Sequence, residues 1–110
     1  MNAGSQAIPI VCNMSVFMPD ERELHIQAAS RLLQSLQDVH EAENGFEFAF
    51  PNESEVITRM AEFIAKERLC CPFLEFTLKI PADSGPIALF LTGPEGTKEF
   101  LREEFSEAFI

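Results

Sequence analysis

Residues 38–55 read Asp38-Val39-His40-Glu41-Ala42-Glu43-Asn44-Gly45-Phe46-Glu47-Phe48-Ala49-Phe50-Pro51-Asn52-Glu53-Ser54-Glu55. Phe46, Phe48 and Phe50 alternate with Glu47 and Ala49, the period of a strand with one apolar face. Asn44-Gly45 is a tight-hairpin dipeptide, since both residues tolerate positive φ. The spacing pairs residues 38–43 with residues 46–50. Asn52-x-x-Glu55 then has the form of a helix cap, in which a side-chain oxygen takes a free backbone N–H and the Glu reaches back to another. A hairpin that runs straight into a helix is the unit from which the rest follows.

The same punctuation recurs on both sides. Asp20-x-x-Glu23 and Thr92-x-x-Glu95 open two further helical patterns, with Pro19 before the first and Pro94 in the first turn of the second. Helix one is expected over residues 20–37, with Leu24, Ala28, Ala29, Leu32, Leu36 and Val39 as its stripe. Helix two is expected over 54–70, with Val56, Ile57, Met60, Phe63 and Ile64 inward. Helix three is expected from Pro94 towards the C-terminus, its apolar residues Phe100, Leu101, Phe105, Ala108 and Phe109 spread wide for one face. A second pair of alternating segments, 74–80 and 87–92, flanks Pro81-Ala82-Asp83-Ser84-Gly85 as a looser hairpin. Residues 8–12 are expected as a short strand or arm. The expectation is a single α+β domain over 1–110, a two-layer sandwich of order α-ββ-α-ββ-α. Its antiparallel sheet of about four strands carries helices on one face. The ββα pattern repeats after about forty residues.

The formal charge of −10 repels phosphate and excludes nucleic acid and anionic membranes as expected partners. No apolar run approaches the ~20 residues of a membrane span. Residues 1–6 lack a basic and an apolar signal region, and three cysteines without a signal read as reduced thiols of a cytoplasmic protein.

The hairpin also fixes a relation between helices. Helix one ends, and helix two begins, at the same hairpin edge, so on one face they run antiparallel. At about 1.5 Å per residue, His25 and Glu67 both lie roughly 18–20 Å from that edge. At about 100° per residue, Glu67 and Cys71 fall within about 20° of Met60, while Cys70 turns about 80° off to the stripe edge.

Glu67 therefore stands in an apolar stripe, where a carboxylate is costly unless paired or protonated. Arg22, His25 and Arg68 are the candidates to answer it. Cys70-Cys71 can bind a soft ion, form a vicinal disulfide, or serve as two small buried hydrophobes. A helix C-terminus carries partial negative charge, which disfavours a catalytic thiolate there. Cys12, His25, Cys70 and Cys71 form the candidate metal set, with Glu67, Arg22 and Arg68 behind them. Thr92-Gly93-Pro94-Glu95-Gly96 is not a phosphate loop: Pro94 lacks a donor, Glu95 repels the anion, and no Gly-Lys-Ser/Thr follows.

Glu67-Arg68-Leu69-Cys70-Cys71-Pro72-Phe73 and Leu91-Thr92-Gly93-Pro94-Glu95-Gly96 resemble a family of small bacterial proteins with an E-R-x-C-C-P-F core and an L-T-G-P-E-G turn. Cys12, Arg22-x-x-His25 and Gly45-Phe46 with Phe48 also match that pattern. Similar Cys-Cys-Pro-Phe segments occur beside mercury-resistance-type regulators. The resemblance implies a shared fold and a candidate site, and soft-metal chemistry by association.

Three readings stand at this point. The first is a metal-binding protein for zinc or a soft heavy metal through a Cys/His cluster. The second is a non-catalytic, self-associating domain with structural cysteines. The third, ranked last, is a thiol-dependent enzyme. A homo-oligomer is expected, using helix three or the open sheet face, where Phe90 sits among polar neighbours.

Overall fold

The computed structural model describes residues 9–109. A short 3-10 turn, Met14–Val16, precedes α1 (Pro19–Leu33), β1 (Asp38–Ala42) and β2 (Gly45–Phe50). Then follow α2 (Ser54–Cys70), β3 (Glu75–Lys79), a 3-10 turn Ala82–Ser84, β4 (Ile87–Thr92), α3 (Thr97–Glu104) and a last 3-10 turn Ser106–Phe109. The four strands make one open sheet of order β1-β2-β4-β3, with every neighbour antiparallel. The expected two-layer α+β fold is therefore present.

The central pair β2 and β4 supplies the apolar floor. Phe46, Phe48, Phe50, Ile87, Leu89 and Leu91 are all buried. Asn44 takes the positive φ of the hairpin, at 60°. Gly45 serves a different end from the one expected. It pairs with Thr92, and a Cβ there would stand 1.9 Å from the Leu91 carbonyl oxygen, so β4 crosses too close for a side chain.

α1 and α2 lie antiparallel over this floor. Glu21 meets Lys66 and His25 meets Glu67 at one end, whereas Arg31, Gln34 and Arg59 share a cleft at the other. Phe105 packs edge-on against Phe48 and Phe63, and Phe109 against Phe46 and Phe48.

Several boundaries differ from expectation. Pro19, not Asp20, opens α1, because proline fits the first helical position without needing a donor. The carboxylate of Glu21 accepts from the Met18 N–H at 3.1 Å, so the cap lies two residues early. α1 stops at Leu33, and the residues up to Gln37 form a turn. Asn52 does not cap α2: its amide donates to the Gly85 carbonyl at 2.8 Å, tying the helix start to the second hairpin. α3 begins at Thr97, after Gly96 at φ 101°, and Thr92 ends a strand. Helix three also breaks after Glu104, which lets Phe105 and Phe109 both turn inward and accounts for its wide stripe.

Leu24 is 65% exposed, and His25 with Leu32 forms the buried line of α1 instead. Residues 9–12 form no strand, and Ile8 lies outside the described residues. The arm is held by an Asn13 N–H donated to the Cys70 carbonyl at 2.7 Å, which satisfies an open carbonyl at the end of α2. Among the described residues no helix is long and apolar enough to cross a membrane.

Candidate metal centre

The last turn of α2 carries Glu67, Cys70 and Cys71 at i, i+3 and i+4, one face of a helix. Pro72 ends that helix. Cys71 has already left helical geometry, at φ −122° and ψ 70°, and its N–H still closes on the Glu67 carbonyl at 2.8 Å. The arm then delivers Cys12 across the helix end.

Four donor groups converge: Cys12, Glu67, Cys70 and Cys71 each place one atom within 4.8 Å of all the others. Cys12 Sγ and Cys70 Sγ are 3.2 Å apart, and Cys70 Sγ and Cys71 Sγ 3.8 Å. Glu67 Oε1 is 3.5 Å from Cys70 Sγ, and Oε2 is 3.4 Å from Cys71 Sγ. An ion held tetrahedrally at about 2.3 Å from sulfur and about 2.0 Å from oxygen sets S···S edges of about 3.8 Å and S···O edges of about 3.5 Å. The Cys70–Cys71 edge has this length and the Cys12–Cys70 edge is shorter, while the Glu67 carboxylate straddles the two thiols, one oxygen to each. All three cysteines are free thiols.

The surroundings are dry. Cys70 and Cys71 are fully buried and Glu67 is 3% exposed, while Cys12 is half-buried. His25 Nε2 lies 2.7 Å from Glu67 Oε1. The imidazole is stacked on Phe63 and flanked by Phe17, so its plane is set by packing. His25 Nδ1 is buried without a hydrogen-bond partner. His25 thus stands behind Glu67, and it is the carboxylate, not the imidazole, that completes the group of four.

The thiols share charge unequally. Hydrogen bonding with Cys70, and then with Cys71, pulls Cys12 well below the usual thiol range, against the opposing effect of burial. Cys70 and Cys71 are pushed up by their contact with Cys12, by burial and by the nearby Glu67 carboxylate. Of the three, Cys12 gives up its proton most readily. Glu104, exposed at the end of α3, shares a cavity wall with His25 and Glu67, and desolvation, with the charges of Cys12 and Glu67, raises it. Buried negative charge with so little to balance it favours an added cation.

The two arginines fall elsewhere. Arg22 reaches backbone carbonyls, its Nε donating to Met14 at 3.3 Å and its Nη2 to Phe17 at 3.5 Å. It props the turn that follows Cys12 and leaves Glu67 to His25. Arg68 is exposed on α2, one residue and about 100° away from the inward Glu67. Cys70, expected at the stripe edge, is central because the arm covers that edge. Met14 was not foreseen: its Sδ lies 3.8 Å from Cys12 Sγ. The Cys12-x-Met14 spacing was the available signal. No protein-family model matches the chain, and neither a curated protein nor a solved structure gives a match.

Proposed function

We propose that the protein binds a thiophilic metal ion, zinc or softer, through Cys12, Cys70 and Cys71, with Glu67 at the fourth corner and His25 orienting Glu67. The observation that carries this reading is the convergence of three sulfurs and one carboxylate, each within 4.8 Å of the others, at the end of α2. Mixed thiolate and carboxylate donors suit a borderline or soft ion and not magnesium or calcium. Binding displaces the thiol protons of Cys70 and Cys71, so affinity rises with pH. The role is one of binding, without turnover, and the kinship with proteins of the E-R-x-C-C-P-F pattern belongs to the same proposal.

The test is elemental analysis of protein purified without chelator, repeated on Cys70→Ser and Cys71→Ser. One thiophilic ion per chain in the wild type, lost in both variants, supports the reading. Metal-free wild-type protein that also fails to take up zinc or cobalt on addition overturns it.

A second reading, self-association, draws on a different observation. Val11, Val16, Met18, Leu24 and Ile26 are large apolar residues at least half exposed in the arm and α1. Light scattering at tens of micromolar tests it, and a dimer or larger species is the supporting outcome.

A further inference from the structure

Met14 is the sulfur that the four-donor site leaves out. Its Sδ stands 3.8 Å from Cys12 Sγ, about the edge length that two sulfurs on one ion keep. The contact is held from both sides. Asn13, between the two sulfur residues, donates its N–H to Cys70, and the Met14 carbonyl accepts from Arg22. The thioether is only half-buried and lines a cavity of about 210 Å³ whose wall includes His25, Glu67, Glu104 and Phe105. Met14 thus joins this cavity, which Glu104 also lines, to the sulfur of Cys12.

Resting on the metal-binding reading above, we infer that Met14 is a fourth sulfur ligand and that the ion is a soft monovalent cation of the copper(I) kind. A neutral thioether adds little to a site for zinc, whose ligands are thiolate, imidazole and carboxylate, but it is a good donor to copper(I). Glu67, the one hard donor, is already engaged by His25 at 2.7 Å. A copper(I) ion takes the sulfurs of Cys12, Cys70, Cys71 and Met14, with Met14 at the corner that Glu67 holds for a harder ion, and leaves the His25–Glu67 pair in place. Met14 then holds the solvent side of the ion, where exchange with another carrier begins.

The experiment is an anaerobic copper(I) titration against a chromophoric chelator, run beside a cobalt(II) titration on the same preparations. Met14→Leu keeps the volume and removes the donor, and Met14→Gln replaces sulfur by oxygen. Both are expected to weaken copper(I) binding by about tenfold and to leave cobalt(II) within about twofold. Copper absorption-edge spectra of the wild type are expected to show a shell of sulfur only. Unchanged copper(I) affinity in both variants, or oxygen in the copper shell, overturns the inference while cobalt binding leaves the metal site standing. Failure of the wild type to bind either ion overturns both. Thermal melts of the variants confirm that a loss of copper is not a loss of fold.

Discussion

The two halves of α2 bury the same face at the same depth and are built on different chemistry. In the first half Val56, Met60 and Phe63 press on the phenylalanine floor, and none of these inward side chains can be charged. In the second half Glu67, Cys70 and Cys71 occupy the continuation of the stripe, facing His25 and Cys12. Apolar burial at about 25 cal/mol per Å² stabilises the first half. The second half must offset desolvation of a carboxylate and a thiolate with a few hydrogen bonds. One end of the helix holds the fold together, and the other is held by it.

Substitutions that break this contrast rank in order. Phe63→Ala removes the ring between Phe105 and His25 and is expected to cost about 3–5 kcal/mol, read by urea denaturation with or without metal. His25→Ala leaves Glu67 buried without its partner and is expected to cost about 3 kcal/mol in the metal-free protein. If His25→Ala is as stable as the wild type, the His25–Glu67 contact is not the support claimed for the site. At the lower end, Leu24→Ser touches an exposed residue of the expected stripe and should stay within about 0.5 kcal/mol of the wild type. A larger loss would restore Leu24 to the core.

The pH dependence sharpens the same contrast, since the buried side chains of the apolar half cannot titrate. Cys12 is depressed in the folded chain, so the unfolded chain binds the extra proton below the ordinary thiol value. Its contribution is complete above about pH 8.5 and drains away as pH falls. Cys70 and Cys71 are raised, so their contribution is present below about pH 8.5 and lost as pH climbs beyond it. Metal-free protein should therefore gain from the cluster as pH rises towards about 8.5 and lose beyond it. Cys12→Ser should flatten the rising limb in urea titrations, and an unaltered profile would remove the shared thiolate from the account.

Elements with a strong period were legible, and the joins between them were not. Phe46, Phe48 and Phe50 declare the central strand, and the hairpin's geometry alone places His25 level with Glu67. The helix starts moved because Pro19 and Gly96 outranked the side-chain caps of Asp20 and Thr92. Asn52 was a reasonable cap by type, but the Gly85 carbonyl of a distant hairpin claimed its amide. The site was legible as a set of residues and less so as a set of roles. Rotation along an ideal helix left Cys70 at the edge, because it could not include an arm that docks there by one backbone bond. Met14 and Glu104 come from separate elements, and only tertiary packing brings them to the cluster.

Cadmium(II) titration followed by ultraviolet absorption tests the metal centre most directly, since the chain has no tryptophan or tyrosine to mask thiolate-to-metal bands. The expected band saturates at one ion per chain, has the intensity of three thiolates, and falls in Cys12→Ser, Cys70→Ser and Cys71→Ser alike. No band, or a band that survives loss of any one of these sulfurs undiminished, would contradict it.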